Sequence, residues 1–203
     1  GYEHDRQPQL SCDVLKGMEP GECSLTVRAW LKSRGVRMPP QRRLDELVHQ
    51  ALSAAPDRNP SIELDGHTVR RFNGQLYVVP KLPPPGSVHQ PIDWDGERRV
   101  VLPSGLLGAV RCQGMGVSHD KLNGARLMIR FRQGGEVCQV THAGPHKALK
   151  GLFQEWRVPP WERAVTPLLF LNGVLVCVVG HVVAEAVRAH DGEDGWMFSW
   201  EIG

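Results

Sequence analysis

Four polar residues between positions 147 and 157 are spaced so that one helix would present their side chains together. Lys147, Lys150, Gln154 and Arg157 recur every three or four residues, and this spacing places side chains on one face of a helix. Long cationic side chains along one face can follow the phosphates of a nucleic-acid backbone. The pattern equally fits an ordinary solvent-exposed helix, because the opposite face is apolar. That apolar face consists of Leu149, Leu152, Phe153 and Trp156.

A pair of prolines ends this helix. Pro159 disfavours helical backbone at Val158, and together Pro159 and Pro160 predict an extended elbow. Trp161 follows, and two roles are open for it: it anchors the elbow in the core, or it stacks on a nucleotide. Arg163 then emerges beside the cationic face of the helix.

The histidines and cysteines of the chain lack the spacing typical of catalytic or metal-binding residues. His142 and His146 lie four residues apart, but Gly144-Pro145 interrupts the helix that would align two metal ligands. For His146 we expect a role at the start of the helix or facing RNA. The five cysteines include no CxxC pair. They predict neither a zinc site nor a disulfide framework, and they indicate reduced thiols in a cytoplasmic protein.

Basic residues are clustered although the formal net charge of the 203-residue chain is only +2. Such clustering can produce a basic face on a nearly neutral protein, or merely a solvated surface. The first set is Arg28, Lys32, Arg34, Arg37, Arg42 and Arg43, and the second is Lys121, Arg126, Arg130, Arg132, Lys147, Lys150 and Arg157. The longest apolar stretch, 167–186, is interrupted by Asn172-Gly173 and Gly180-His181, so no membrane span and no membrane partner are predicted.

The first half of the chain predicts two helices followed by a small β-meander. The helices are expected over residues 24–34, with Ser24 as N-cap and Gly35 after the last turn, and over residues 40–54. Strands are expected at 62–64, 67–72 and 75–79, because Asp65-Gly66 and Asn73-Gly74 suit tight hairpin turns. No element is predicted for residues 1–21.

The second half predicts hairpins around one amphipathic helix. Paired strands are expected at 98–102 with 106–111, 125–131 with 136–140, and 168–171 with 174–179; a helix is expected at 145–156 and a closing strand at 196–200. The fold class is therefore α+β: a helical module with a β-meander (1–81), a semi-rigid Pro-rich linker (82–91) and an α+β module (92–203).

Several short motifs resemble tRNA(Ile)-lysidine synthetases over roughly residues 20–202. The most specific is the segment LFQEWRVPPWER at 152–163, preceded by an R-x-G-G-E hairpin at 132–136. In the first half, the matching features are residues 28–31 (RAWL), the loop containing Pro39, and residues 70–77 (RRFNGQLY). One departure is His181-Val182, where that family commonly has an acidic and then an aromatic residue.

The resemblance implies the tRNA-recognition part of an ATP-dependent ligase that attaches lysine to the wobble cytidine of the isoleucine tRNA with a CAU anticodon. ATP, Mg and lysine are expected at an N-terminal domain with a Ser-Gly-Gly-x-Asp-Ser loop, which is absent from these 203 residues. We therefore expect a fragment that binds no cofactor or metal and is inactive alone. Its expected partners are tRNA on the acceptor-stem side, its own N-terminal catalytic domain, and a second copy in a homodimer.

The resemblance also ranks the residues that are expected to contact tRNA. Lys147, Lys150, Arg157 and Arg163 are the main candidates for binding tRNA, followed by Arg130 and Arg132, with His146 and Gln154 beside them. Glu136 is expected to support its hairpin by pairing with an arginine, and Pro159, Pro160 and Trp161 to support the elbow. Two other readings are a stand-alone RNA- or protein-binding module, and an unrecognised enzyme with a site assembled from scattered residues.

Overall fold

The computed structural model describes residues 9–55, 58–81, 92–94 (backbone only), 99–122, 127–141 and 144–202. By their contacts these residues form two compact units, 9–81 and 92–202. The predicted linker, 82–91, lies outside the described residues, as do Arg126 and His142. Among the described residues, no helix is both long and apolar enough to cross a membrane.

The first unit contains three helices: α1 (Cys12–Lys16), α2 (Pro20–Ser33) and α3 (Gln41–Ser53). Helix α1 was not predicted, and α2 begins at Pro20 rather than at Ser24, because proline is pre-set for the first helical turn. Ser24 lies inside α2 and accepts a hydrogen bond from Gln41. The predicted end of α2 is confirmed. Gly35 adopts φ +68°, and its N–H donates to the carbonyl of Lys32.

The predicted meander is confirmed, with one added strand. The strands are β1 (Leu10–Ser11), β2 (Ser61–Leu64), β3 (His67–Phe72) and β4 (Gln75–Pro80), and they pair antiparallel in the order β1-β4-β3-β2. Asn73 and Gly74 both have positive φ, as the tight turn between β3 and β4 requires. The helices and the sheet enclose an apolar core that includes Val27, Leu31, Leu44, Leu47, Ile62 and Val69.

A buried arginine closes the C-terminal end of α3. Arg71 on β3 is 6% exposed, and its Nη1 donates to the carbonyls of Ala51 (3.0 Å) and Ala54 (2.8 Å). Helix α3 has no basic residue in its own last turn. The guanidinium therefore satisfies carbonyls that the helix leaves without partners, and it places a positive charge at the negative end of the helix dipole.

Replacing this arginine should destabilise the first unit. We expect Arg71→Met to lower the free energy of unfolding by about 1–3 kcal/mol, because buried carbonyls lose their donor. Chemical denaturation followed by far-UV circular dichroism measures the change. Lys32→Met, on the exposed side of α2, is the matched control and should change stability by less than about 0.5 kcal/mol. Equal denaturation midpoints for the two variants would contradict this role.

The second unit is richer in strands, and they form three sheets. The five-stranded sheet has the order β14-β13-β12-β9-β5, the four-stranded sheet β6-β7-β15-β8, and a small pair joins β10 and β11. The strands are β5 (Ile92–Trp94), β6 (Val100–Leu102), β7 (Gly105–Gln113), β8 (Val117–Ser118), β9 (Leu127–Arg130), β10 (Val137–Cys138), β11 (Lys147–Ala148), β12 (Leu168–Leu171), β13 (Val174–Val178), β14 (Val182–Val183) and β15 (Asp194–Ile202). The helices are α4 (His119–Leu122), α5 (Leu149–Glu155) and α6 (Pro160–Arg163), with a 3-10 helix at Glu185–Val187.

Two predicted hairpins are confirmed and one is wrong. Strand β6 pairs with β7, and β12 pairs with β13 around Asn172-Gly173. Strand β9 does not pair with the segment that follows it, because its neighbours are β12 and β5. The segment at 137–138 pairs instead with β11, where the N-terminal part of the central helix was predicted. Helix α5 consequently begins at Leu149 rather than at residue 145.

Two glycines allow β15 and the turn before β8 to approach closely. A Cβ at Gly116 would lie 2.3 Å from the carbonyl oxygen of Trp196, and one at Gly195 would lie 2.1 Å from that of Met115. Gly116 also has φ +81°. These contacts involve backbone atoms, which cannot move aside as a side chain can. The Gly-Met-Gly segment at 114–116 is thus part of the packing of the fold.

Two alanine substitutions with similar backbone conformations test this close approach. Gly114 has φ +69°, but its nearest neighbour would lie 3.5 Å from an added Cβ, so Gly114→Ala should cost only the strain of a left-handed residue, about 1–2 kcal/mol. Gly116→Ala should cost that strain and about 1–3 kcal/mol more from overpacking. Thermal denaturation of both variants measures the difference, and equal losses would show that the approach is not tight.

Candidate nucleic-acid interface

Helix α5 is held in place by its apolar residues. Leu149 and Phe153 are fully buried, and Leu152 is 2% exposed. The ring of Phe153 contacts Trp156 edge-on, with centroids 6.1 Å apart. Lys150 and Gln154 lie on the exposed side of the same helix. Of the four polar residues predicted to share a helical face, only these two lie within α5.

Lys147 lies on β11 and is bound to a carboxylate. It pairs across the strand with Cys138, and its Nζ lies 2.9 and 3.0 Å from the two carboxylate oxygens of Glu155. The prediction that Lys147 belongs to the helix is therefore wrong. Its ion pair is half-exposed, so the pair adds little stability but offsets the charge of the lysine. His146 is exposed just before β11, also outside the helix.

Arg157 follows α5 in a left-handed conformation, with φ +53°. Its N–H donates to the carbonyl of Gln154 (3.0 Å), and the N–H of Val158 donates to that of Phe153 (2.9 Å). These two bonds define a Schellman turn, in which glycine usually occupies the left-handed position. The arginine side chain is exposed. The turn therefore holds a long cation where a side chain is conformationally unfavourable.

The elbow after α5 is confirmed and is stabilised by Arg163. Val158 is fully buried, and Pro159 is extended with ψ 144°. The Nε of Arg163 donates to the carbonyl of Val158 at 2.8 Å. Pro160 starts the short helix α6, and Trp161 within it is only half-buried. Trp161 is thus neither a fully buried anchor nor a fully exposed ring.

Glu136 supports its loop through backbone N–H groups, and no arginine among the described residues pairs with it. Its carboxylate accepts hydrogen bonds from the backbone N–H groups of Gln133 (2.5 Å) and Gly134 (2.9 and 3.1 Å). Its own carbonyl accepts a bond from the N–H of Leu149 at 2.8 Å. The R-x-G-G-E loop is therefore closed by a carboxylate and joined directly to the start of α5.

Three arginines of this region have no carboxylate partner among the described residues. Arg130 lies over the ring of Phe170, with its guanidinium carbon 4.8 Å from the ring centroid. The Nε atoms of Arg130 and Arg132 are buried without a hydrogen-bond partner. Burial lowers the pKa of Arg163, and the positive charge of Arg132 lowers it further.

Part of the basic set of the first unit is, by contrast, paired with carboxylates. Arg37 lies 3.8 Å from Asp65, and Arg42 and Arg43 both contact Glu46 at 3.3 and 3.2 Å. Arg28 donates to the side chain of Gln41. An open cavity of about 580 Å³ lies beside these residues, but its two arginines are already bound, Arg37 to Asp65 and Arg43 to the carbonyl of Glu63.

One aromatic contact at this site was not predicted from the sequence. The ring of His181 stacks on Trp156 with centroids 5.2 Å apart and planes within 3°. It also meets the edge of Phe153. The imidazole ring of His181 therefore packs against the end of α5 as an apolar side chain would. The described residues contain no group of three or more His, Cys, Asp or Glu side chains that could hold a metal ion.

The left-handed Arg157 should limit the stability of the second unit. We expect Arg157→Gly to raise the free energy of unfolding by about 1 kcal/mol, because glycine adopts positive φ without steric strain. Arg157→Ala removes the same charge but keeps the strain, so its stability should stay near that of the wild type. Thermal denaturation distinguishes the two variants. A gain with alanine as large as with glycine would assign the effect to charge instead.

Two family models match the chain. Residues 10–77 match the model described as TilS substrate binding domain, and residues 127–200 match the model described as TilS substrate C-terminal domain. The first covers the helices and meander of the first unit. The second includes α5, the elbow, and the loop at 132–136.

Proteins of similar sequence indicate the same family as these two matches. The tRNA(Ile)-lysidine synthase of Coxiella burnetii is 34% identical over 196 residues, which cover 94% of this chain and 42% of the relative. That of Methylococcus capsulatus is 32% identical over 179 residues, covering 87% and 40%. A crystal structure of a TILS C-terminal domain aligns with TM-score 0.47 and 18% identity, over 56% of this chain and 98% of that one.

The chain thus spans about two-fifths of the length of the curated relatives it matches. Within that span the sequence similarity covers both compact units of this chain. Because both family models match and the relatives align along nearly the whole chain, this protein belongs to the tRNA(Ile)-lysidine synthetase family and carries its substrate-binding and C-terminal domains.

Proposed function

We propose that this chain is the tRNA-recognition portion of a ligase that attaches lysine to the wobble cytidine of the CAU-anticodon isoleucine tRNA. One observation carries the proposal: the second unit holds a group of cations without carboxylate partners among its described residues, on a rigid helix, elbow and loop. The group consists of Lys150, Arg157, Arg130, Arg132 and Arg163. The names of the relatives support tRNA as the nucleic acid.

The unpaired charges favour contacts to phosphate. A cation already bound to a carboxylate must lose that partner before it binds a phosphate, whereas Lys150 and Arg157 have no such partner in the described part of the chain. Double-stranded RNA hides its base edges in a deep, narrow groove. We therefore place the acceptor-stem side of the tRNA against this surface, with Gln154 and His146 at its margin and Lys147 in a secondary role because of Glu155.

The chemistry itself is assigned to residues outside this chain. ATP, Mg and lysine would be bound by an N-terminal domain, because the Ser-Gly-Gly-x-Asp-Ser loop that holds phosphates in this family does not occur in the 203 residues. The two glycine segments that could be compared with such a loop have other roles here. Gly116 packs against β15, and Gly134 binds Glu136. We expect no adenylation by this chain alone.

Contacts far from the anticodon would help the enzyme to distinguish two tRNAs that share an anticodon. A methionine tRNA carries the same CAU anticodon, so an enzyme that modifies only the isoleucine tRNA needs a second difference to read. Contacts at another part of the tRNA add a free-energy difference between the two substrates. They also raise the effective concentration of the anticodon loop at the catalytic domain.

Salt-dependent binding of the chain to the tRNA tests the proposal. Each lost phosphate contact should reduce the slope of log K against log salt by about 0.7–0.9. We expect this loss for Lys150→Gln and for Arg157→Gly. The second variant is informative because its fold should be more stable than the wild type while its affinity falls. Fluorescence anisotropy with labelled tRNA at several salt concentrations measures both quantities.

Arg42→Gln is the matched control, because it removes one charge from the set that is already paired with Glu46. Its slope should stay at the wild-type value. If Arg42→Gln lowers the slope and Lys150→Gln does not, the first unit is the principal RNA surface, and the assignment of the second unit fails.

A further inference from the structure

An arginine, a tryptophan and a histidine form a cluster on the four-stranded sheet of the second unit. Arg111 on β7 pairs directly with Trp196 on β15, and its guanidinium carbon lies over the indole ring, 5.2 Å from the ring centroid. The indole N–H donates to Nδ1 of His119 at 3.2 Å. The cluster therefore has a cation over the face of the tryptophan ring and an imidazole bound to the edge of that ring.

Arg111 is exposed and has no anionic partner. Within the described part of the chain it makes neither a hydrogen bond nor an ion pair, so its five N–H donors are available to a ligand. Asp194 lies two residues before Trp196 on β15 and projects from the same face of the sheet. This carboxylate would repel a phosphate at the cluster. The arrangement therefore favours a nucleobase over a phosphate as the bound group.

The hydrogen bond to Trp196 determines which ring nitrogen of His119 carries the hydrogen. An indole N–H can only donate, so Nδ1 of the histidine accepts, and the neutral imidazole carries its hydrogen on Nε2. His119 is half-buried at the start of α4, and its Nε2 has no partner among the described residues. The imidazole thus offers one N–H donor to a ligand that lies against the indole.

The backbone of Trp196 is held in place from both sides. It pairs with Arg111 on β7 and with Val117 on β8. Gly116 packs so closely against the tryptophan carbonyl that an added Cβ would lie 2.3 Å from its oxygen. A ring that is already fixed by its backbone and by a hydrogen bond loses little conformational entropy when a second ring stacks on it.

We propose that Arg111, Trp196 and His119 form a stacking platform for one unpaired nucleotide of RNA. The proposal rests on the proposed function, and it adds a contact to a base to the phosphate contacts assigned to the cations around α5. Unpaired bases stack on aromatic rings and on guanidinium planes, largely irrespective of sequence. Bases inside a double helix are already stacked on their neighbours. In a tRNA, the 3′ end and the loops both present unpaired nucleotides.

The first experiment compares a single-stranded RNA octamer with a blunt-ended RNA duplex, each binding to the whole chain in fluorescence anisotropy. Trp196→Leu should weaken octamer binding at least about fivefold, because one base loses its stacking partner, and should leave duplex binding unchanged. Trp196→Phe loses the same bond to His119 but keeps an aromatic ring, so it should retain most of the octamer affinity. Circular dichroism checks that both variants are folded. Equal octamer affinities for the two variants would overturn the platform.

The second experiment separates stacking from charge. Arg111→Lys keeps the positive charge but loses the planar guanidinium, so it should weaken octamer binding by about two- to fivefold while the salt slope stays unchanged. Arg99→Lys is the matched control, because Arg99 is also exposed and lies beside Gly108 on the opposite face of the same sheet. It should bind as the wild type does. An equal loss in both variants would contradict a specific role for Arg111.

Binding of tRNA with and without its unpaired 3′ nucleotides identifies the source of the base. A defect of Trp196→Leu that disappears with the truncated tRNA assigns the platform to the 3′ end, and a defect that persists assigns it to a loop. A chain whose octamer binding depends on Trp196 but which binds no tRNA would keep the platform and reject the proposed function. A chain that binds tRNA through Lys150, with octamer binding indifferent to Trp196, would keep the function and reject the platform.

Discussion

A single backbone turn connects most of what the second unit can do. The N–H of Val158 donates to the carbonyl of Phe153, and both side chains are fully buried. Because the two ends of the turn are held in the core, the chain must reverse between them, and Arg157 is forced outward with positive φ. The carbonyl of Val158 then accepts a hydrogen bond from the Nε–H of Arg163. Burial of these apolar side chains thus sets the positions of two cations, Arg157 just after α5 and Arg163 in α6.

The distribution of acids decides which cations can act on an external anion. In the first unit, Glu46 and Asp65 are placed within reach of three arginines. In the second, Glu136 closes a loop through backbone N–H groups, and the partner of Glu155 among the described residues is Lys147. The two basic sets have similar composition, but they differ in how many of their described cations are paired with a carboxylate. A cation whose charge is already offset by a nearby carboxylate attracts an external phosphate less strongly than an unpaired one.

The same region combines features that oppose stability. A left-handed arginine and two buried Nε atoms without partners all occur within residues 130–163. Strain and uncompensated charge of this kind persist where the surrounding structure over-determines them, and they tend to occur at functional sites. The buried face of α5 and the core around Phe153 supply that surrounding structure.

The sequence by itself determined the local elements and the family. Amphipathic spacing predicted α3 and the buried side of α5, Asn-Gly pairs predicted two hairpins that are confirmed, and tandem prolines predicted the elbow. These features depend on residues within a few positions of each other. Residues 146–163 also carried the resemblance that the family models confirm over 127–200.

Only the tertiary structure decided which strands and charges meet. Strand β9 pairs with β12 across some forty residues rather than with its neighbour, and this pairing leaves Lys147 on β11 and outside the helix. The stacking of His181 on Trp156 likewise joins separate segments. Local propensity cannot predict such contacts, because their free energy depends on how the whole core packs and on which partner is left for each polar group.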